Sequence, residues 1–169
     1  MVYKFDELSE EAKQKVIEGL ADINVDCNWF EFIYEDANNV GLKINGFDID
    51  RRSYCNLEFT KGAENCADLI IANHGEACDT YNTAKKFLED RTELVKKYSD
   101  GVDIERVYEG NIYELDFELD ELEEDFLKSL SEDYLSMLKE EYEYKTSEEA
   151  IVETIKTNDY EFTDNGKLI

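Results

Sequence analysis

The stretch that decides the fold is "YELDFELDELEEDFLKSLSEDYLSM", residues 113–137. Its first residues alternate apolar and acidic side chains, which is typical of a strand, but further along the apolar residues recur every three or four positions. The recurring positions are Leu115, Leu119, Leu122, Phe126, Leu130 and Met137. Because this 3.6-residue period holds over the longer distance, the stretch predicts a helix over about residues 112–142.

The start of this predicted helix is densely acidic. Eight of the thirteen residues from Tyr113 to Asp125 are Asp or Glu, and none is basic. The helical period places Glu114, Glu118, Glu121 and Asp125 on one side, opposite the apolar positions. Like charges at such spacings each destabilise a helix by about 0.2–0.5 kcal/mol, so folding gains nothing from them. The candidate partner-binding residues are therefore Glu114, Glu118, Asp120, Glu121, Glu124, Asp125, Glu132, Asp133, Glu140 and Glu141.

Composition and charge limit the classes of function. The chain has 169 residues, 42% of them hydrophobic and 12% aromatic, which is enough apolar material for one folded domain over 1–169. The net charge of −25 repels nucleic-acid phosphate and anionic lipid, so direct binding to nucleic acid or membrane is not expected. The part from 101 to 169 is the more acidic, with 22 acidic and 6 basic side chains.

Shorter patterns predict the remaining elements. A helix over about 9–21 begins behind Ser9, and two further helices cover about 63–74 and 80–98. Alternating apolar residues predict an antiparallel hairpin within 42–60, and Asp164-Asn165-Gly166 predicts a second hairpin turn within 159–169. Thr146 and Glu149 form a predicted capping box for a last helix. The predicted fold is α+β, a mainly helical single domain with a small antiparallel β-sheet.

The residues that could carry chemistry are few. Cys66, His74 and Cys78 lack the spacings of a zinc site, and no cofactor-binding motif is present, so we expect neither a metal nor a cofactor. His74 could act as the base for a Cys78 nucleophile, but no oxyanion motif accompanies them. A small Cys/His enzyme is therefore the least favoured alternative, and the sequence predicts a protein that is not an enzyme.

The N-terminal sequence and the cysteines indicate a compartment. "MVYKFDELSEEAK" lacks the apolar segment of a signal peptide, so we expect a cytoplasmic protein whose four cysteines are reduced. The only concentrated basic charge lies on the predicted helix over about 80–98, where we expect it to pair with acids of this chain or of a neighbouring copy. The oligomeric state stays open between a monomer and a homodimer. The basic residues are Lys85, Lys86, Arg91, Lys96 and Lys97.

The acidic helix allows three interpretations. It could be a solvated face, as most charge runs are, or a module that recognises a protein partner, such as an antitoxin or a replication accessory, by shape. The third interpretation is mimicry of nucleic acid. Enzymes that act on DNA have basic grooves, and a helix with carboxylates at a density comparable to that of phosphates can occupy such a groove without being cleaved. Mimicry predicts an inhibitor of a nucleic-acid-binding host protein, such as a nuclease or a defence complex.

A resemblance over nearly the whole chain favours this interpretation. "KFDELSEEAK", "GFDIDRRSYC", "NHGEACDTYNTAKKFL", "EDYLSMLKEEYEYKTSEEAI" and "YEFTDNGKLI" resemble a family of small acidic bacteriophage and prophage proteins, some of which are labelled antitoxins. The resemblance implies a phage protein in the cytoplasm of a bacterial host. The charge is also similar to that of phage DNA mimics that block restriction enzymes. We therefore expect an anti-defence inhibitor of the anti-restriction or anti-CRISPR type.

Overall fold

The computed structural model describes residues 1–99 and 109–169, with the side chains of 109–112 left aside. It confirms the predicted α+β class, since this part of the chain is mainly helical with one small antiparallel sheet. After a short 3-10 helix, Phe5–Glu7, the elements are α1 (Glu10–Gly19), α2 (Glu31–Asn39), β1 (Leu42–Asp48), β2 (Tyr54–Phe59), α3 (Ala63–Asn73), α4 (Asp79–Ser99), α5 (Glu109–Lys145) and α6 (Glu148–Thr157).

The chain divides into two compact units. Residues 1–31 and 138–169 form one unit, and residues 32–137 form the other. The long helix α5 supplies residues to both of them. The expectation of one domain over 1–169 stays a prediction.

A serine side chain caps the N-terminal end of α1, and another caps that of α6. The Ser9 side chain accepts a hydrogen bond from the Ala12 N–H at 3.3 Å, which confirms the predicted start of α1. At α6 the prediction was wrong, because Ser147 caps the helix by accepting from the Ala150 N–H at 3.3 Å. The predicted cap, Thr146, instead donates its hydroxyl to the Tyr142 carbonyl within the end of α5.

The hairpin formed by β1 and β2 confirms the predicted sheet within 42–60. Leu42 pairs with Phe59 and Asp48 with Tyr54, and the register shifts between Ile44 and Gly46. The region from 159 to 169 does not add strands. The turn forms, with the Gly166 N–H donating to the Thr163 carbonyl, but its flanks are reduced to isolated bridges. Phe162 forms isolated β-bridges with both Tyr3 and Leu168. The predicted second hairpin is therefore reduced to the one bridged pair of Phe162 and Leu168.

The core of the unit at 32–137 is aromatic where it meets α5. The Phe87 and Phe126 rings stack with centroids 4.2 Å apart, and Phe59 stacks on Phe126 at 5.8 Å. Stacked rings contribute beyond the apolar area that they bury, so they fix α5 against α4 and β2. The remaining buried core residues of this unit are Ile33, Ala37, Val40, Leu42, Ile44, Cys55, Ala63, Cys66, Ala67, Ile70, Ala84, Leu130 and Tyr134.

The unit formed by 1–31 and 138–169 has its own apolar core. Side chains from the start of the chain, α1 and α6 meet there with Phe162, which is fully buried. Asn24 joins two helix ends, since its amide donates to the Lys145 carbonyl at 3.0 Å and accepts from the Thr154 hydroxyl at 2.7 Å. The core residues are Phe5, Leu8, Ala12, Val16, Ile151, Ile155 and Phe162.

Gly166 is required where the chain end crosses α1. Its φ of +82° lies in the left-handed region, and a Cβ there would sit 2.6 Å from the Ala12 carbonyl oxygen. We expect Gly166→Ala to destabilise the protein by about 3 kcal/mol, from backbone strain and this clash. The matched control, Gly41→Ala, has the same φ of +82° and would meet only the Lys61 side chain, at 3.4 Å, so it should cost only about 1 kcal/mol. Equal losses in urea unfolding would contradict the predicted clash.

Candidate functional site

The acidic residues at the start of α5 are held by a helix that is anchored further along. Phe126, Leu130 and Tyr134 recur at helical spacing and are buried, so this part of α5 presents one apolar face to the core of the unit at 32–137. The turns that precede Phe126 carry the dense carboxylates. At 1.5 Å per residue, Glu114 and Asp125 are separated by about 16 Å along the helix axis.

The face of α5 opposite the buried side chains is partly aromatic. Five exposed residues lie on this face, each three or four positions from another of the five, and we call them the outward row. The row begins with two aromatic rings and continues with three carboxylates, whereas the sequence prediction had placed a different set of acids opposite the apolar positions. The outward row consists of Tyr113, Phe117, Asp120, Glu121 and Glu124.

Glu118 and Asp125 lie instead on the flank of α5 that faces α4. Lys97 Nζ lies 3.2 Å from both carboxylate oxygens of Glu118, and the Tyr98 hydroxyl donates to Oε1 at 2.8 Å. The hydrogen bond from Tyr98, followed by that from Lys97, lowers the pKa of Glu118 below its usual range. Asp125 lines a small cavity of about 190 Å³ together with Lys86. Part of the predicted stripe is therefore neutralised within the protein.

The basic face of α4 pairs with acids of this chain. The sequence had left open whether the partners would belong to this chain or to a neighbouring copy. Lys97 binds Glu118, Lys86 binds Asp90, and Arg91 Nη2 lies 2.8 Å from Glu64 Oε2. These pairs reduce the positive charge that α4 presents to solvent. The basic residues are therefore poor candidates for a phosphate-binding site.

The later acids of the predicted surface divide into exposed and engaged ones. Glu132 and Glu140 are exposed. Asp133 is half-buried and accepts a hydrogen bond from the Thr83 hydroxyl at 2.7 Å, and Glu141 lies 3.6 Å from Lys145 Nζ. Asp133 and Glu141 are thus less available to a partner than the outward row.

Asp133 offers a test of this burial. Burial and the charges of Asp79 and Glu132 raise its pKa, and the hydrogen bond from Thr83 offsets this only in part. Since the raised pKa means that the ionised carboxylate destabilises the fold near neutral pH, we expect Asp133→Asn to stabilise the protein by roughly 0.5 kcal/mol after solvent screening. Urea unfolding should show this gain at pH 7 and a smaller one in acid. The control Asp26→Asn changes an exposed side chain outside the helices and should show neither.

His74 belongs to a buried network rather than to a cysteine pair. Its Nδ1 lies 2.7 Å from the Thr80 hydroxyl, and its Nε2 lies 3.3 Å from Asp36 Oδ1 without full hydrogen-bond geometry. Tyr134 donates its hydroxyl to Asp36 Oδ2 at 2.7 Å. Both ring nitrogens therefore face oxygen atoms, and neither is left for the Cys78 thiol. We call these four residues the Asp36 network.

The Asp36 network joins four elements of the unit at 32–137. Asp36 lies on α2, His74 ends α3, Thr80 lies in the first turn of α4, and Tyr134 lies on α5. Burial raises the pKa of Asp36, but the nearby His74 ring and the hydrogen bond from Tyr134 lower it more, so it falls below its usual range. Thr80 is only 3% exposed, so its hydroxyl is inaccessible to a substrate. The arrangement stabilises the fold.

The cysteines separate into two accessible and two protected thiols. Cys27 and Cys78 are exposed, whereas burial raises the pKa of Cys55 to about 11 and that of Cys66 to about 12. Because the thiolate is the reactive form, we expect iodoacetamide near neutral pH to modify Cys27 and Cys78 in the folded protein and all four cysteines in urea. Peptide mass spectrometry measures this. Equal native rates at Cys66 and Cys78 would contradict it.

Clustered metal ligands would indicate a metal centre, and a long apolar helix would indicate a membrane span. Among residues 1–99 and 109–169, no group of three His, Cys, Asp or Glu side chains is placed to hold a metal ion. None of the helices described there combines the length and apolar character needed to cross a membrane.

Comparison with known proteins gives no relative. No protein-family model, curated protein or solved structure matches this chain. No activity, partner or residue role can therefore be transferred from another protein. A function has to be inferred from the residues of this chain alone.

Sequence reasoning missed the two aromatic residues of the outward row. Tyr113 is 70% exposed and Phe117 is 62% exposed. Their alternation with Leu115 and Leu119 suggested a strand, and the helical pattern that replaced it was followed only for its apolar core. Extending the helical period back to residue 113 would have placed both rings on the solvent side.

Proposed function

We propose that this protein is a phage-encoded anti-defence inhibitor, of the anti-restriction or anti-CRISPR type, that acts in the bacterial cytoplasm. It would bind a nucleic-acid-binding host enzyme through α5 and block it as an acidic mimic of nucleic acid. The observation that carries the proposal is the exposed charge on one continuous helix. Six of the eight carboxylates between Tyr113 and Asp125 are exposed, namely Glu114, Asp116, Asp120, Glu121, Glu124 and Asp125.

The ion pairs strengthen this choice of surface. Among residues 1–99 and 109–169, the one acid of the 114–125 segment in a salt bridge is Glu118. Lys86 also lies near this segment, beside Asp125, but its ion pair is with Asp90. The exposed carboxylates repel one another at a cost to folding, and a basic groove would relieve that repulsion on binding.

The test is affinity capture of bacterial host-lysate proteins on the immobilised protein. Bound proteins are challenged with excess DNA and then eluted by a salt gradient. Mimicry predicts that DNA releases a nuclease or another nucleic-acid-binding enzyme and that binding falls steeply with salt. A partner that ignores DNA and resists salt would contradict mimicry.

The exposed rings of Tyr113 and Phe117 favour a second candidate function. An acidic protein-binding module, such as an antitoxin or a replication accessory, would use them as anchors in a shape-specific interface. Its affinity would depend weakly on salt, and nucleic acid would not compete with its partner. The same capture experiment therefore distinguishes the two functions.

A further inference from the structure

The outward row combines two features that a mimic of duplex phosphates does not need together. Tyr113 and Phe117 are among the most exposed large apolar side chains of the described residues, and they lie one helical turn apart. Contiguous exposed apolar surface is a mark of interaction sites, and these two rings are neighbours on one face. Carboxylates follow the rings directly on the same face, at Asp120, Glu121 and Glu124. An occupant of this face must accept both aromatic rings and negative charge.

The charge density of α5 is that of one nucleic-acid strand. Its six exposed carboxylates span about 16 Å of helix axis. Over that distance one strand of B-DNA carries about five phosphates and the duplex carries about ten. A duplex mimic would need about 1.7 times the charge that these six exposed carboxylates provide.

Grooves that bind single strands have the complementary composition. They combine basic side chains that follow the backbone with aromatic side chains on which successive bases stack. Duplex-binding surfaces, in contrast, make most of their contacts with phosphate and sugar. The outward row has two rings about 6 Å apart along the helix axis, and carboxylates follow them. It therefore complements a single-strand groove both in charge and in aromatic contact.

We infer that the partner of this surface is a protein groove for single-stranded nucleic acid, in which Tyr113 and Phe117 take the places of two bases and the following carboxylates take those of phosphates. The inference rests on the proposed function and narrows it. It predicts that the binding site of the target is a basic, aromatic-lined channel for a single strand and not a duplex-binding cleft.

The test compares two competitors on the captured host protein. An oligo(dT) strand and a DNA duplex of equal length are titrated at equal phosphate concentration against the complex on the immobilised protein. We expect oligo(dT) to release the partner at a concentration at least about tenfold lower than the duplex, since each stacked base contributes to single-strand affinity. Equal release, or earlier release by the duplex, would overturn the inference and leave the proposed function standing.

Variants at the two rings provide the second readout. Tyr113→Ser with Phe117→Ser should weaken retention of the partner at least about tenfold, because two stacking contacts are lost. The matched control, Phe32→Ser with Tyr54→Ser, removes two other exposed rings, which are 51% and 46% exposed, and should change retention little. Unchanged retention in the first variant would overturn the inference. Failure of both nucleic acids to release the partner would overturn the proposed function as well.

Discussion

Replacing Asp36 by alanine should destabilise the protein by about 3 kcal/mol, a large part of the 5–15 kcal/mol that holds an ordinary domain together. The carboxylate accepts the Tyr134 hydroxyl at 2.7 Å and lies 3.3 Å from His74 Nε2. Tyr134 is fully buried, and the carboxylate of Asp36, itself 35% exposed, is the acceptor for its hydroxyl. An unsatisfied buried polar group costs more than the bond itself contributes. Urea unfolding followed by circular dichroism measures the loss.

Tyr134→Phe is the matched control for this effect. It removes the donor and leaves the ring in the core, so it should cost only about 1–2 kcal/mol. The double variant should cost less than the sum of the two single changes, because both remove the same hydrogen bond. Additive losses, or a smaller loss for Asp36→Ala than for Tyr134→Phe, would show that the Asp36 network does not act as one unit.

The lowered pKa of Asp36 also gives this contribution a pH dependence. The carboxylate stabilises the folded state at every pH above its unfolded pKa of about 4. His74 and Tyr134 lower the pKa of Asp36 in the folded state below its unfolded value. The stabilisation is therefore lost as the pH falls through this lower, folded-state pKa. The difference in unfolding free energy between the native sequence and Asp36→Asn should therefore shrink in acid. A difference that grows on acidification would contradict the assignment.

Reversing the exposed charge of α5 should have the largest effect on binding. We expect the combined change of Glu114, Asp120, Glu121 and Glu124 to Lys to weaken the partner complex roughly a hundredfold or more, since it juxtaposes like charges across the interface. All four side chains are exposed, so the fold should survive. Retention of the captured partner at fixed salt measures the loss.

A variant of equal net charge separates local from global effects. Asp68, Glu89, Glu93 and Glu153 are also exposed but lie on α3, α4 and α6. Changing these four to Lys shifts the net charge by the same amount and should weaken binding far less. Similar losses in the two variants would mean that overall charge, and not the surface of α5, attracts the partner.

Local signals made much of the fold predictable. Ser9 could be recognised as a cap because it precedes a helical apolar pattern and interacts with a backbone group only three residues away. The period that runs through Phe126 and Leu130 predicted α5 for the same reason, and alternation predicted the hairpin. Such features depend on neighbours in the sequence, which the chain displays directly.

Distant partners explain what could not be predicted. Asp36 and Tyr134 are 98 positions apart, and nothing in either neighbourhood indicates that they meet. Glu118 was grouped with free carboxylates because its neutralisation by Lys97 depends on how α4 packs against α5. Thr146 fits a capping box in isolation, yet α5 continues far enough to use its hydroxyl. In the first two cases tertiary packing decided the outcome, whereas Thr146 shows a choice between two local partners.

The pairing of α4 with one flank of α5 makes the electric field of this helix one-sided. Lys97 and Lys86 moderate the potential near Glu118 and Asp125, whereas Asp120, Glu121 and Glu124 project into solvent. A cationic molecule approaching from a distance is therefore turned toward a single side of the helix before contact. Orientation during the encounter raises the rate of productive collisions, so for the proposed basic partner the lysines that neutralise part of the acidic charge would also influence how quickly and from which side it arrives.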